Sequence, residues 1–496
     1  IDSGQFRNFQ GRDRAAWAAE LATRRAALDA SFASLDRAEL EPADAAAFSA
    51  MLGTLAEIDA EGVAVNADGA SCRDAVRRDL GYAALRSAVR ACFREIGNAL
   101  GFEGGTVDRG SALQLLYEIE EPARRKALFD AFTPLWTAVN GANEPDSPYR
   151  RMIALAAEHA ARDGSEVDAA ARALGVTVAD VERWLLEVLD AWRRTSGPAP
   201  VEPWDYRYEI GETGRRLAGR TPAASLVPVN ERFYRDLGAD LDALGVAYDL
   251  GARPDKSPVA YADFLVRGRY VDGWWQPSVA RVVGSYPVGG LFSLNELVHE
   301  NAHAVQLTAV RNRPAYTGWA DTLFVEAFAD VPSWSVYEPA WQRRYLGAGT
   351  PECTSLRALH GTVMLDVAWA LFEIRMLREP ASDPNIVWTD ITSHYLRIVP
   401  HPEVPWWAMR VQLASDPGYM VNYGLGAVLT AEMRRRIAAA IGPFDAGNHS
   451  WYAWVSERLL VFGSERDTRS LMQSLLGRPV SPAALIEQIQ RCRCRG

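Results

Sequence analysis

The chain has 496 residues, of which 48% are hydrophobic and 23% are charged, so it can bury a large core without a covalent staple. Its formal net charge of -10 excludes the clustered basic surface that a nucleic-acid partner requires. No uncharged apolar stretch of about 18 residues occurs, so we expect no membrane span, and no pattern in the sequence indicates an oligomeric state.

The first 195 residues are predicted to be helical. From Arg14 to about Ser34, apolar residues recur at helical spacing between charged ones. The same period continues around residues 43–60, 74–99, 110–138, 147–162 and 166–195. The run TSGPAPVEP at residues 195–203 then interrupts the pattern, because its three prolines and one glycine cannot continue a helix. We therefore expect a helical amino-terminal part over residues 1–200 and a second part over residues 201–496, intertwined in one domain.

One strand is predicted shortly before the most informative motif of the chain. The run SVARVV at residues 278–283 is rich in β-branched residues and is followed by Gly289 and Gly290. An extended peptide could pair with such a strand at a sheet edge, which makes Val279, Arg281 and Val283 candidate substrate-binding residues. The alternative is an ordinary structural strand.

The motif itself is the run His-Glu-Asn-Ala-His at residues 299–303. Ser293 and Glu296, three residues apart, form a capping box that predicts the start of the helix carrying this run. On that helix His299 and His303 project from one face, one turn apart, close enough to bind one cation. The alternative is a pair of exposed histidines on a helix.

A catalytic zinc site needs a third protein ligand and one open position. Glu326 follows the motif in a second helical stretch, and its carboxylate is predicted to be that ligand. Asp330 lies one turn later on the same face, where it can accept the outer N–H of a liganding histidine. The alternative, a solvated acidic face, is disfavoured by the apolar neighbours Phe324 and Phe328.

These parts predict a hydrolytic mechanism. Zinc lowers the pKa of its water, and Glu300 accepts a proton as that water attacks a carbonyl, then passes the proton to the leaving amine. The oxyanion that forms needs a second donor besides the metal. Tyr419, Tyr423 and His401 are candidates, because they lie in a Pro-rich and Gly-rich stretch whose loops could aim side chains inward. Each could equally be a packed structural residue.

Four segments together resemble the Glu-zincin peptidases, which include angiotensin-converting enzyme, thimet oligopeptidase, oligoendopeptidase F and carboxypeptidase Taq. The segment FVEAFADVPSWSV, with Glu326 and Asp330, is similar to the third-ligand helix of angiotensin-converting enzyme. PWDYRY at residues 203–208 resembles an element upstream of the metal helix in the oligopeptidases. GYMVNYGLG and the ending SLMQSLLGRPVSPAALIEQI are similar to carboxypeptidase Taq.

The resemblance covers residues 200–490 in order and rough spacing, whereas the first 200 residues match only in being helical. It implies a mostly α-helical, neurolysin-like ellipsoid with a deep, narrow substrate channel, zinc on the channel floor and a small β element beside the active site. It also implies activity on short peptides that can enter the channel, with folded proteins excluded.

Three functions are compatible with these observations. The first is a zinc metallopeptidase that cuts short peptides, as an oligopeptidase, dipeptidyl carboxypeptidase or carboxypeptidase. The second is a zinc enzyme that acts on a non-peptide or specialised small-molecule amide. The third is a catalytically silent binding protein on the same scaffold, against which Glu300 argues, because a binder has no need for a general base beside the metal.

The cellular compartment is indicated only by the cysteines and the first residues. Five cysteines are too few for a disulfide scaffold and are compatible with a reducing cytoplasm. The amino terminus is polar and shows no signal peptide, although a chain beginning at Ile1 is also compatible with a trimmed export signal. We therefore expect a cytoplasmic protein.

Overall fold

The computed structural model describes residues 14–62, 72–195, 199–252, 256–257, 259–318 and 321–492. Helices dominate these segments, and the strands are few and short, so the prediction of a mostly helical fold with a small β element is confirmed. Within the same segments, no helix is both long enough and apolar enough to cross a membrane.

The amino-terminal half is a succession of helices, as predicted, but several of the predicted segments are divided into shorter helices. Glycines and prolines divide the longer predicted segments. For example, Gly175 adopts a left-handed conformation and ends the helix Glu166–Leu174, which begins at a capping box of Ser165 and Asp168. The helices are α1 (Arg14–Ala33), α2 (Pro42–Gly62), α3 (Cys72–Ala75), α4 (Tyr82–Gly97), α5 (Arg109–Glu118), α6 (Pro122–Asp130), α7 (Thr133–Asn140), α8 (Pro148–Asp163), α9 (Glu166–Leu174) and α10 (Val178–Thr195).

The carboxyl-terminal half is also built mainly of helices. They are α11 (Tyr206–Ile210), α12 (Glu212–Leu217), α13 (Ala223–Asp236), α14 (Leu291–Ala309), α15 (Thr322–Ser333), α16 (Pro339–Leu346), α17 (Glu352–Arg378), α18 (Pro384–Ile391), α19 (Val411–Ser415), α20 (Val421–Ile441), α21 (Ser450–Val455), α22 (Thr468–Leu476) and α23 (Ala483–Gln490). Helix α15 packs against both α14 and α20, and α20 packs against α17. This arrangement places α14 and α15 side by side in the core.

The β structure consists of one small sheet and two hairpins. The strands are β1 (Leu100–Phe102), β2 (Gly105–Val107), β3 (Val246–Asp249), β4 (Tyr261–Val266), β5 (Arg269–Val271), β6 (Trp274–Gln276) and β7 (Val279–Val283). The sheet has the order β3-β7-β4, in which β7 is parallel to β3 and antiparallel to β4. Both β4 and β7 pack against α14.

Helix α14 begins earlier than the capping box predicted. Its N-cap residue is Gly290, with a φ of 95°, and Ser293 lies inside the helix, where its N–H donates to the side-chain oxygen of Gln114 at 3.1 Å. The prediction of a Ser293–Glu296 capping box is therefore wrong, because a side chain from α5 satisfies the exposed amide instead.

The two halves share one hydrophobic core. Helix α10 packs against α17 and α23, and fully buried side chains of both halves, such as Phe93, Trp192 and Trp369, belong to the same cluster. At the surface, Arg86 and Arg90 of α4 both form ion pairs with Asp416. The division at residue 200 into two intertwined parts stays a prediction.

One cysteine pair differs from the sequence expectation. The structure joins Cys72 and Cys92 in a disulfide that links α3 to α4. Disulfides form and persist mainly in oxidising compartments. The cytoplasmic location that the low cysteine count favoured stays a prediction.

Candidate metal centre

Two helices bring three potential metal ligands together. His299 and His303 lie one turn apart on α14, and Glu326 faces them from α15. The Nε2 atoms of the two histidines are 3.1 Å apart, and the Glu326 carboxylate oxygen Oε2 lies 3.4 Å from His299 and 3.6 Å from His303. The structure thus assembles the three residues that the sequence selected as ligands.

The spacing of these atoms fits a zinc ion. Zinc–ligand distances of 2.0–2.1 Å with tetrahedral angles place neighbouring ligand atoms about 3.3 Å apart. The Oε2 atom of Glu326 is buried and has no hydrogen-bond partner among the described residues, so a cation would supply what the protein does not. Two imidazoles and one carboxylate are also a donor set that catalytic zinc sites use.

Neighbouring side chains hold the ligands in place. Asp330 lies 2.9 Å from Nδ1 of His299, where its carboxylate can accept the ring proton and leave Nε2 for a metal. Gln306 contacts Nδ1 of His303 at 3.3 Å, and the Tyr419 hydroxyl donates to Oε1 of Glu326 at 2.7 Å. Each ligand therefore has a second contact that fixes its orientation.

The electrostatics of the ligands follow from this packing. Burial lowers the pKa of His299, but the contacts with Asp330 and Glu326 outweigh burial and raise it well above its usual value. Burial raises the pKa of Glu326, whereas its contacts with His299 and His303 bring it well below the usual range. Glu326 is therefore an anion, as a metal ligand must be.

Glu300 lies beside the ligands with an unused oxygen. The residue is 6% exposed, and its Oε2 atom is buried without a hydrogen-bond partner in the described part of the chain. The pKa of Glu300 is raised to about 8: burial is the main cause, the negative charges of Glu296 and Glu326 add to it, and His299 opposes it. A carboxylate in this condition binds a proton readily, which is what a general base needs.

The structure gives the two candidate tyrosines different surroundings. Tyr419 is bonded to the metal ligand Glu326, so its hydroxyl is already engaged. The Tyr423 hydroxyl receives a long contact of 3.4 Å from Gln412, and the guanidinium of Arg410 lies 5.0 Å from its ring centroid. Burial raises the pKa of Tyr423 well above its usual value, and so do the charges of Glu326 and Glu300, which places this phenol beside the centre in its protonated form.

His401 is held elsewhere. Its Nδ1 atom contacts Glu403 at 2.6 Å and its Nε2 atom contacts Glu202 at 2.8 Å. Two carboxylates thus engage both ring nitrogens, and the ring packs beside Trp204. No ring nitrogen is left to donate to an oxyanion, so the geometry contradicts a catalytic role for His401.

The predicted strand at residues 278–283 is present as β7, but it is the central strand of its sheet. Its backbone pairs with β3 on one side and with β4 on the other, which leaves no edge for a peptide. The expectation of edge addition at Val279, Arg281 and Val283 is therefore wrong. Any role of these three side chains in substrate binding stays a prediction.

The sequence reasoning missed several polar groups near the centre. Arg109 is 4% exposed and donates to the carbonyl of Met409 at 2.9 Å. Arg410 forms an ion pair with Asp366 at 2.6 Å. The hydroxyl of Tyr286 is buried and has no hydrogen-bond partner among the described residues. These residues lie far apart in the sequence, so no local motif could have identified them.

Several solved structures with a similar fold are described as peptidases. PZ peptidase A with an inhibitor matches with a TM-score of 0.60 at 14% identity, covering 83% of this chain and 75% of its own. A protein assigned as oligoendopeptidase F from Bacillus anthracis str. Ames matches at 0.54 and 16% identity, covering 82% and 73%. An M32 carboxypeptidase from Deinococcus radiodurans R1 matches at 0.51 and 15% identity, covering 91% and 92%.

At these identities the likeness shows a shared fold. No protein-family model and no curated protein sequence matches the chain. The fold that the sequence resemblance implied is therefore confirmed by structures of the same groups, while the chemistry depends on the residues described above.

Proposed function

We propose that the chain is a zinc-dependent peptidase that hydrolyses short peptides. The observation that carries the proposal is the convergence of His299, His303 and Glu326 beside the buried, unpartnered carboxylate oxygen of Glu300. A binding protein has no use for such a base next to a metal. The peptidases of similar fold support the choice of a peptide substrate.

Bound zinc supplies Lewis acidity and makes water a nucleophile near neutral pH. Glu300 accepts the proton that the attacking water loses and delivers it to the leaving amine. Tyr423 donates its phenol proton to the developing oxyanion in a hydrogen bond, because its hydroxyl lies near the centre and is not engaged by a ligand. Tyr419 acts on Glu326 and holds that ligand in position.

The test compares the natural protein with Glu300→Gln on a mixed peptide library, with products identified by mass spectrometry and zinc measured in both proteins. We expect Glu300→Gln to keep its zinc and to lose about 100-fold or more of its cleavage rate, the usual contribution of a general base. Glu158→Gln, which removes the same charge at an exposed site, is the matched control and should cleave normally.

Two results would contradict the proposal. One is a zinc-loaded natural protein that cleaves no peptide in the library, and the other is a Glu300→Gln variant that cleaves at the natural rate. Peptides with amidated carboxyl ends, included in the same library, distinguish cleavage inside a peptide from removal of carboxyl-terminal residues.

A further inference from the structure

A cavity of about 470 Å³ lies between the two halves of the chain and reaches helix α14, which carries the two histidines, at Glu296. One wall is formed by the end of α4 and the start of α5, which contribute Glu95 and Asp108. The opposite wall includes Glu296 of α14 and the segment that leads into β4. Because Glu296 precedes His299 by three residues on the same helix, the cavity lies about one helical turn from the proposed ligands.

Glu296 has a carboxylate that the protein leaves without a partner. It is half-buried, and in the described segments it forms no hydrogen bond and no ion pair with a lysine or arginine. The cation with the largest electrostatic effect on Glu296 is Arg109, whose Nε donates to the carbonyl of Met409 instead. A half-buried charge in this condition is stabilised by a ligand of opposite charge.

Lys256, the one lysine among the described residues that line the cavity, does not neutralise Glu296. The ammonium of Lys256 donates to Oδ1 of Asp249 at 3.2 Å, to the Asp249 carbonyl at 2.6 Å and to the Gly251 carbonyl at 3.0 Å. All three of its protons are thus used, and its charge is matched by Asp249. Among the described residues that line the cavity, Glu95, Asp108 and Glu296 therefore give an excess of negative charge.

A second polar group near Glu296 also lacks a partner. The hydroxyl of Tyr286 is buried without a hydrogen bond to any described residue, and the side chain is 9% exposed. Tyr286 directly follows Ser285, which lines the cavity, and burial raises the pKa of Tyr286, with the charges of Glu296 and Glu300 raising it further. Buried hydroxyls without partners are rare, and they are expected where a ligand completes the hydrogen bonding.

We propose that this cavity is a specificity pocket that receives the cationic side chain of a substrate lysine or arginine next to the cleaved bond, with Glu296 as its charge partner. The inference rests on the proposed peptidase function. An ammonium or guanidinium group entering the cavity donates to the free carboxylate, whereas a carboxylate side chain meets three like charges. A substrate with glutamate at this position is therefore excluded by repulsion.

The test uses three fluorogenic peptides that differ at one residue beside the cleaved bond, which is lysine, norleucine or glutamate. The zinc-loaded natural protein should cleave the lysine peptide about tenfold faster in kcat/KM than the norleucine peptide, which corresponds to about 1.4 kcal/mol. The glutamate peptide should be the slowest. Placing the variable residue on each side of the bond in turn identifies the side that the cavity serves.

The isosteric variant Glu296→Gln removes the charge and keeps the shape. We expect it to lose the lysine preference, so that the rates for lysine and norleucine become similar within the variant. Because the charge of Glu296 also raises the pKa of Glu300, the readout is the ratio of these two rates and not the rate itself. Glu158→Gln, the exposed control, should keep the preference.

Two results would overturn the pocket and leave the peptidase proposal standing. One is equal rates for the lysine and norleucine peptides in the natural protein, and the other is a lysine preference that survives in Glu296→Gln. The natural-protein comparison needs no variant, so it decides the question even if Glu296→Gln folds poorly. Absence of hydrolysis of every peptide overturns the proposed function together with the pocket, which keeps the two failures distinguishable.

Discussion

The residues of the candidate metal centre were largely predictable from the sequence, because the two histidines lie one turn apart in one motif and an acidic residue follows in the next helical stretch. His299, His303 and Glu326 meet as the spacing predicted, and Asp330 reaches His299. The roles of Tyr419 and Tyr423 could not be separated in this way, since both lie in the same Pro-rich and Gly-rich stretch of the sequence, although Tyr423 belongs to helix α20. Only the three-dimensional contacts show that one of them is bonded to Glu326.

Tyr423 is expected to increase the rate of the chemical step. Tyr423→Phe removes the hydroxyl proposed to stabilise the oxyanion, and loss of one such donor costs about 100-fold in kcat. Steady-state kinetics on a peptide that the natural protein cleaves should show the loss in kcat with KM little changed. An equal kcat in the variant would show that another group stabilises the oxyanion.

Tyr419 is expected to increase the affinity of the site for zinc. Tyr419→Phe removes the hydrogen bond to Oε1 of Glu326, and losing such a contact weakens metal affinity about 10-fold to 100-fold. Zinc titration against a competing chelator measures this change. At saturating zinc the variant should recover most of its kcat, and failure to recover would indicate a direct catalytic role.

His360 is expected to make the fold sensitive to acid. It is fully buried, neither ring nitrogen has a partner among the described residues, and burial lowers its pKa to about 3. The unfolded chain binds a proton near pH 6.5 and the folded one does not, so stability is retained above that pH and falls as the pH drops below it.

The measurement is the free energy of unfolding in urea at pH 7 and pH 5, for the natural protein and for His360→Leu. The single histidine should account for a loss of about 2 kcal/mol between the two pH values. Between pH 7 and pH 5, the loss of stability in His360→Leu should be smaller than the loss in the natural protein by that amount. Parallel losses in both proteins would show that other groups cause the acid sensitivity.

At the scale of elements, the sequence located helices well and their ends poorly. Local periodicity predicts a helix, but it does not show where a glycine or a distant side chain ends it. Gln114 of α5 satisfies the amide of Ser293, so the start of α14 depends on a contact 179 residues away in the chain. The strands β1, β2, β3, β5 and β6 have only three or four residues each, too few for an alternating pattern, whereas the six residues of β4 were missed. The central position of β7 depends on its partners.

Gly290 is expected to be essential for the start of α14. Its φ is 95°, and a Cβ atom there would lie 2.2 Å from the side chain of Gln114. Gly290→Ala should therefore lower the free energy of unfolding by about 2 to 4 kcal/mol. Gly81→Ala is the control, because Gly81 has an ordinary φ of -63° and nothing near its Cβ position. Similar stabilities of the two variants in urea would contradict this account.

At the scale of the whole molecule, the sequence predicted the fold class, while the contacts between its halves were not visible. The ion pairs of Arg86 and Arg90 with Asp416 join residues more than half the chain apart, and no local pattern indicates them. The disulfide was also missed, since a cysteine count gives no information about which thiols lie close together.

The disulfide between Cys72 and Cys92 is expected to stabilise the amino-terminal half. It closes a segment with a sequence separation of 20, and a loop of that size contributes about 3 kcal/mol in the chain-entropy model. Peptide mapping without reductant should recover the linked peptides, and Cys92→Ser should lower the free energy of unfolding by a similar amount. Recovery of two free thiols from protein prepared under oxidising conditions would rule out the bond.

The three proposed ligands come from two neighbouring helices, α14 and α15. A zinc ion bound between them would link the two helices in the core. It would bind the native arrangement tightly and the separated helices weakly. By mass action, the free zinc concentration would then set the melting temperature as well as the activity. A cell that withdraws zinc would switch off this protein and loosen its core in the same step.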